Sequence, residues 1–351
     1  MTVRSLTLTF SPTCSAPGND APPSLRGTMD IGCLFAPTTH TPEHVAEAER
    51  LGYGYAYVYD SPSLFADAWM TLGRAADRTS AIRLGVAVVT PKLRHLVDNA
   101  AAAVTLAALA PGRVDVVVGA GFTSAALLGR RGARWAEVEQ YIRALRAVMA
   151  GEEIDWEGAR IALTFPRLSG LAPVTDVPIL AAAHGPKGFA TASRVADGVI
   201  TNPSHSSEPI PFEGHCVVTA YGTVLDEGEE LTNPRVVDAA GPGAALALHL
   251  GEFGPLAGTE EARGYQAWLA TVPEERRLIE THREHLIGVT PEERPFITPK
   301  VIEAATATGT PEQIRHRLGQ LRQSGATTVA YQPAGPDIPR ELRAFAAAAG
   351  L

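Results

Sequence analysis

Cysteine is scarce in this chain of 351 residues: three occur, Cys14, Cys33 and Cys216, widely spaced and without a CxxC pair. Such a count excludes a disulfide framework and a zinc knuckle, and a cytoplasmic, reducing location is expected. Long hydrophobic runs are missing too. The longest small-apolar stretch, residues 100–110, is interrupted by Thr105 and falls short of the roughly 18 residues that a membrane span needs. Positive charge is not in excess, with 30 basic side chains against 38 acidic ones and a net charge of -8. Neither nucleic acid nor an anionic membrane surface is therefore an expected partner. No P-loop, HExxH or GxSxG pattern occurs, which removes the simplest NTPase, zinc-protease and serine-hydrolase readings.

What is present describes a soluble globular protein with a large core. Hydrophobic residues make up 45% and charged residues 19%, which excludes a disordered chain, a collagen and a coiled coil. The length fits two ordinary domains or one large barrel. Residues 11–24 are crowded with Ser, Pro, Ala, Gly and Asn without apolar period, so residues 1–28 read as a flexible arm and lack the core of a signal peptide. Met29 stands directly before the first strand pattern, and translation is a candidate to start there.

From Met29 onward the pattern is strand, turn, helix, repeated. Apolar or β-branched runs at 30–35, 55–59, 82–89, 114–118, 177–182, 198–201, 216–220 and 327–331 predict eight strands. Their near-continuous hydrophobicity is that of parallel strands buried on both faces. Thr41-Pro42-Glu43 supplies an N-cap, a first-turn proline and a carboxylate for one helix, which Gly52 ends. Val138, Ile142, Leu145 and Val148 share one face of a helix over 135–149, and Thr310-Pro311-Glu312-Gln313 is a capping box. Residues 153–165 read as a small hairpin insert and 231–300 as a helical insertion after the seventh strand. Together these predict an α/β fold of the (β/α)8 TIM-barrel kind over residues 29–351, with a doubly wound open sheet as competitor.

In a barrel the chemistry lies at the C-terminal strand ends. There the sequence places Asp60-Ser61-Pro62, Thr90-Pro91, Gly119-Ala120-Gly121-Phe122-Thr123 and His184-Gly185-Pro186-Lys187. Gly185-Pro186-Lys187 opens a helix whose free backbone N–H groups and positive end suit a phosphate, although glycine and proline there are also ordinary punctuation. Gly119-Ala120-Gly121 is a poor dinucleotide fingerprint, because the third glycine position holds Ser124 and no helix is expected to start at once. Asp60 reads equally as a cap of the next helix or as a ligand contact. Among ten histidines, His40, His184 and His95 fall at or near strand ends; the others are not expected to reach a substrate. His282 and His285 lie among Glu274, Glu275, Arg276, Arg277, Arg283 and Glu284 and read as a solvated face, so no metal site is expected.

These residues resemble the luciferase-like monooxygenase family, in particular its branch dependent on the deazaflavin coenzyme F420. The resemblance runs from about Met29 to Val329. It is carried by Tyr59-Asp60-Ser61 with Ala66-Asp67-Ala68-Trp69, by Ile82-Arg83-Leu84-Gly85 through Arg94-His95, and by Gly112-Arg113-Val114 with Gly119-Ala120-Gly121. Ala182-Ala183-His184-Gly185-Pro186-Lys187 through Ala196-Asp197-Gly198 and Gly309-Thr310-Pro311-Glu312 complete it. The resemblance implies a coenzyme across the barrel mouth, F420 or alternatively FMN, bound by Asp60, Ser61, Ala87, Val88, Gly119, Gly121, His184, Gly185, Pro186, Lys187 and Thr201. It also implies a non-prolyl cis peptide at Ala87 and Val88, propping the ring, with the phosphate near Gly185, Pro186 and Lys187.

Two departures bear on the chemistry. Several deazaflavin dehydrogenases carry histidine and glutamate where this chain has Ser61 and Phe122. With that acid–base pair missing, the resemblance implies a reductase that passes hydride to an activated C=C, C=N or C=O bond, with His184, Ser61 or ordered water as proton source. An FMN-dependent monooxygenase supplied by a flavin-reducing partner enzyme, and a non-catalytic (deaza)flavin-binding protein, are the alternatives. The expected partner is a small-molecule or natural-product substrate. A homodimer through Trp69, Met70 and Leu72 is a further candidate, although these side chains read first as core packing.

Overall fold

The computed structural model describes residues 29–202, 209–251 and 254–351. The expected N-terminal arm lies outside the described residues.

Eight parallel strands close into a barrel. They are β1 (Asp30–Phe35), β2 (Tyr55–Val58), β3 (Arg83–Val89) and β4 (Val114–Val118), then, after the hairpin β5 (Ile154–Trp156) and β6 (Ala159–Ile161), β7 (Ile179–Ala182), β8 (Gly198–Thr201), β9 (His215–Tyr221) and β10 (Thr328–Gln332). Barrel strands pair in chain order, and β10 closes onto β1 with Asp30 opposite Thr328. The open-sheet alternative is thereby excluded.

The continuous apolar runs are explained by burial on both sides, since every residue of β2, β4, β8 and β10 is buried. Successive side chains alternate faces. Leu34, Tyr57, Val117, Leu180 and Val217 fill the barrel interior, while Val58, Val86, Val116 and Val199 meet the surrounding helices. Near the barrel floor Tyr57 donates a hydrogen bond to Asp115 Oδ2 at 3.3 Å, and Arg83 pairs with the same carboxylate. Gly85 is small for this ring: a Cβ there would lie 2.4 Å from Tyr57 Cδ1.

Helices α1 (Thr41–Arg50), α2 (Ala68–Ala76), α3 (Leu96–Leu109), α4 (Phe122–Ala126), α5 (Trp135–Met149) and α6 (Pro186–Val195) alternate with the first strands. Helices α7 (Pro234–His249), α8 (Glu260–Thr271), α9 (Glu274–Thr281) and α10 (Pro299–Ala305) form the insertion between β9 and α11 (Pro311–Gln323), and α12 (Ile338–Ala349) ends the chain. The insertion has its own core around Leu248, Tyr265, Val301 and Ile302. It is tied to the barrel by Glu341 of α12, 2% exposed, which pairs with Arg235 at 3.1 Å and accepts from Thr223 Oγ1 at 2.6 Å.

Local signals read correctly in most places. The capping box at Thr310 and Gln313 forms, and Gly52 ends α1 with φ of 94°. Two local readings are corrected. Thr41 is already helical and its hydroxyl accepts from Thr38 N at 2.8 Å, so the position before α1 belongs to His40. A helix does start directly after Gly121, because φ of 74° at that glycine turns the chain straight into α4.

Candidate active site

The C-terminal strand ends and the insertion enclose a cavity of about 440 Å³. Strand β2 and its following turn supply Tyr59, Asp60 and Ser61, β3 supplies Ala87 and Val88, and the turn after β4 supplies Gly119 to Phe122. Ala182 ends β7, and His184 and Gly185 follow it; Tyr221 ends β9; Leu246, His285 and Leu286 come from the insertion. The Ala87–Val88 peptide is cis. A Cβ at Gly119 would approach Val88 Cγ2 to 2.9 Å and Ala182 Cβ to 3.3 Å, so this glycine is what lets the third, fourth and fifth barrel strands close at the mouth.

Asp60 does not cap the next helix. It is 3% exposed and held by Arg94, Nε donating to one carboxylate oxygen at 3.0 Å and Nη2 to the other at 2.8 Å. The capping role belongs to Asp67, which accepts from Met70 N at 2.9 Å and also receives Arg94 Nη2. Tyr59 donates to Gln332 Oε1 at 2.8 Å and lies 3.4 Å from the Tyr221 hydroxyl. Burial raises the pKa of both tyrosines, keeping them protonated.

His184 sits at the rim. Its Nδ1 accepts from Asn202 N at 3.3 Å, which places the proton of the neutral ring on Nε2, and desolvation by the surrounding mouth holds its pKa below the usual imidazole value. Gly185 precedes α6 in an extended conformation with no side-chain cap, and Pro186 occupies the first turn. Gly188, one turn in, allows α6 to touch α5: a Cβ there would lie 2.6 Å from Trp135 Cζ2. Pro186, Lys187 and Thr201 do not line the cavity; Thr201 is buried in the barrel wall.

The histidines are distributed differently from the expectation. His40 is exposed beside α1, and His95 caps α3 by accepting from Val97 N at 3.2 Å; neither lines the cavity. His285, expected on a solvated face, is 9% exposed and forms part of the cavity wall. Leu286 beside it is 6% exposed, and this apolar residue after the charged run is a local signal of burial. Of the three residues read as core or dimer contact, Leu72 is buried and Trp69 donates to Asn99 Oδ1 at 3.0 Å. Met70 is 73% exposed and so is not core.

Comparison with known proteins follows this geometry. Residues 7–210 match the model of the luciferase-like monooxygenases. The chain belongs to that family. Among its relatives is a 5,10-methylenetetrahydromethanopterin reductase of Methanolobus tindarius, 27% identical over 90% of this chain and 98% of the relative. An F420-dependent glucose-6-phosphate dehydrogenase of Beutenbergia cavernae is 39% identical over 37% of this chain and 40% of its own length. Among solved structures, the coenzyme F420 dependent tetrahydromethanopterin reductase of Methanopyrus kandleri shares the fold, with a TM-score of 0.68 at 17% identity over 91% of this chain and 98% of the other. No helix among the described residues is long and apolar enough to cross a membrane, and no cluster of His, Cys, Asp or Glu there is arranged to hold a metal ion.

Proposed function

We propose that this chain is a coenzyme F420-dependent oxidoreductase that works as a reductase on an activated C=C, C=N or C=O bond of a small organic or natural-product substrate. The observation that carries the reading is the mouth cavity itself. Its wall combines Ala87 and Val88 at the end of β3 with the side-chain-free surface of Gly119 and Gly121, which suits a flat ring. The relative that aligns over nearly its whole length, a reductase, supports the same assignment.

The residues present fit the coenzyme. Ala87 and Val88 would support the ring, with Asp60, Ser61, Gly119 and Gly121 around it. The uncapped start of α6 offers the backbone N–H groups of Lys187 and Gly188 and a positive helix end to a phosphate lying near Gly185, Pro186 and Lys187. When bound, the reduced coenzyme supplies the hydride. His184, neutral with its proton on Nε2, and Ser61 line the same cavity and would deliver or hold the accompanying proton, while Phe65, Trp135 and Leu246 would limit water at the mouth. Ser61 and Phe122 both lie on the cavity wall, where the dehydrogenases of the resemblance carry histidine and glutamate; this favours reduction over sugar-phosphate or alcohol oxidation.

The test is a titration of the purified chain with oxidised F420 and, separately, with FMN, followed by absorbance and quenching of protein fluorescence. Micromolar or tighter binding of F420 with weak FMN binding is expected. Selective FMN binding, followed by substrate-dependent oxygen uptake with reduced FMN, would overturn the reading and favour the two-component monooxygenase. Binding of F420 without single-turnover oxidation by any activated alkene, imine or carbonyl would favour a carrier.

A further inference from the structure

One wall of the mouth cavity comes from neither the strands nor the glycine turns. It is the segment after α9, where His285 and Leu286 close over the barrel. Leu286 has φ of 60°, a left-handed conformation that a large apolar side chain rarely adopts. Such a conformation persists where its surroundings impose it, and it marks functional segments. Here Gln332 Nε2, at the end of β10, donates to the Leu286 carbonyl at 2.8 Å, and Gly335 N donates to the carbonyl of Ile287 at 3.3 Å. The same Gln332 receives the Tyr59 hydroxyl, so His285 is positioned against the barrel end through two strands.

No hydrogen bond among the described residues holds the His285 ring, and its Nδ1 is buried without a partner. The groups facing it are known from each packed element. His249 of α7 stacks on it with ring centroids 5.9 Å apart, and His282 lies 4.8 Å away. Tyr265 of α8 backs His249 at 5.7 Å, and His249 Nε2 donates to Glu293 Oε1 at 2.7 Å. His282 Nδ1 donates to the Leu278 carbonyl at 2.8 Å. Burial, reinforced by His282 and His249, pushes His285 down to about 3, so its ring is neutral. A neutral imidazole has one N–H. Enclosed Nδ1 has no acceptor to donate to, and a buried orphan donor is the costlier arrangement, so the proton belongs on Nε2.

The rest of the wall selects the chemistry of what this donor meets. Among the described lining residues there is no lysine or arginine, and the one carboxylate, Asp60, is fully engaged by Arg94. Phe65, Trp135, Leu246 and Leu286 supply apolar surface beside the uncharged hydroxyls of Ser61, Thr123 and Ser124. Beside His285 the lining offers an anionic group no lysine or arginine, whereas a carbonyl oxygen needs one donor.

We propose that His285 is a substrate-binding residue whose Nε2–H hydrogen-bonds the oxygen of an uncharged carbonyl compound seated between the apolar walls of the mouth. This rests on the reductase reading for what then happens to the substrate, and on the cavity alone for the contact.

Cyclohexenone, an uncharged ring carbonyl with an activated double bond, is the probe; cyclohexene and cyclohexyl phosphate are the controls. Each is titrated into full-length protein labelled with nitrogen-15 at histidine, and the His285 ring resonances, assigned by their loss in His285→Gln, are followed. Cyclohexenone is expected to shift them, and cyclohexene and the phosphate ester to leave them in place. His285→Phe is expected to weaken cyclohexenone binding about tenfold, the worth of one hydrogen bond, and His285→Gln to regain most of it through its amide N–H. Unmoved ring resonances with cyclohexenone, full affinity in His285→Phe, or a shift of the same resonances by the phosphate ester would each overturn the proposal. Failure of the wild-type protein to bind F420 with the cyclohexenone response intact would instead refute the reductase reading and leave the histidine contact standing.

Discussion

Replacing Asp60 by asparagine tests how the end of β2 is held at the mouth. Both carboxylate oxygens are engaged by Arg94, at 3.0 and 2.8 Å, and the side chain is 1% exposed. Breaking a buried ion pair from one side costs about 3–5 kcal/mol, because the remaining charge is left desolvated. Arg94 escapes the worst of this. It keeps Asp67 at 2.9 Å, and 24% of its side-chain surface stays in water. The expected cost is therefore about 2–3 kcal/mol, at or just below the low end of that range. For 351 residues, an unfolding entropy of about 2.1 cal/mol/K per residue converts this into a melting temperature lower by about 3–4 °C. Scanning calorimetry at neutral pH reads it directly. The double variant Asp60→Asn/Arg94→Met, which removes both charges, should recover most of the loss, since a buried pair replaced as a whole costs little. Because Asp60 and Ser61 line the cavity, F420 affinity should fall in the single variant as well. An unchanged melting temperature, or a double variant less stable than the single one, would refute the reasoning.

Other expectations follow from the same geometry. Gly119→Ala places a methyl group 2.9 Å from Val88 Cγ2, so overpacking of about 1–3 kcal/mol and at least tenfold weaker F420 binding are expected, measured by thermal melting and fluorescence titration. Native binding in this variant would remove the strand end from the coenzyme site. Acidification should destabilise the fold. The folded pKa of His285, about 3, lies below the ordinary 6.5, so the unfolded chain takes up a proton first and stability is lost as pH falls below about 6.5. His285 alone should contribute about 1 kcal/mol between pH 7 and 5.5. Replacing it by glutamine should flatten the melting temperature against pH over that interval; an unchanged slope would show that its ring is not held neutral.

Much of the barrel was legible because its determinants are local. A buried parallel strand needs a short continuous apolar run, and the runs at residues 114–118 and 198–201 coincide with β4 and β8. Helix starts such as Thr310 with Gln313 close their hydrogen bonds within four residues, so the sequence shows them directly. The glycine turns at the strand ends were legible for the same reason. Which of their residues face one cavity was not. Asp60 read equally as a helix cap or a ligand contact, because its partner, Arg94, is 34 residues away and nothing local announces the pair.

The insertion marks the sharpest division. By its charge pattern the stretch around His285 belongs in water, and Glu274, Arg276 and Arg283 are indeed exposed. Burial of His285 depends on α7 and α8 bringing His249 and Tyr265 to the same place, and on Gln332 of β10 holding the following leucine. Local propensity, capping and apolar period thus determined the order of strands and helices and the ends where a site would form. The cavity wall, the neutral histidine on it and the partner of Asp60 were decided by contacts between segments tens to hundreds of residues apart. Such contacts exist only once the barrel has closed.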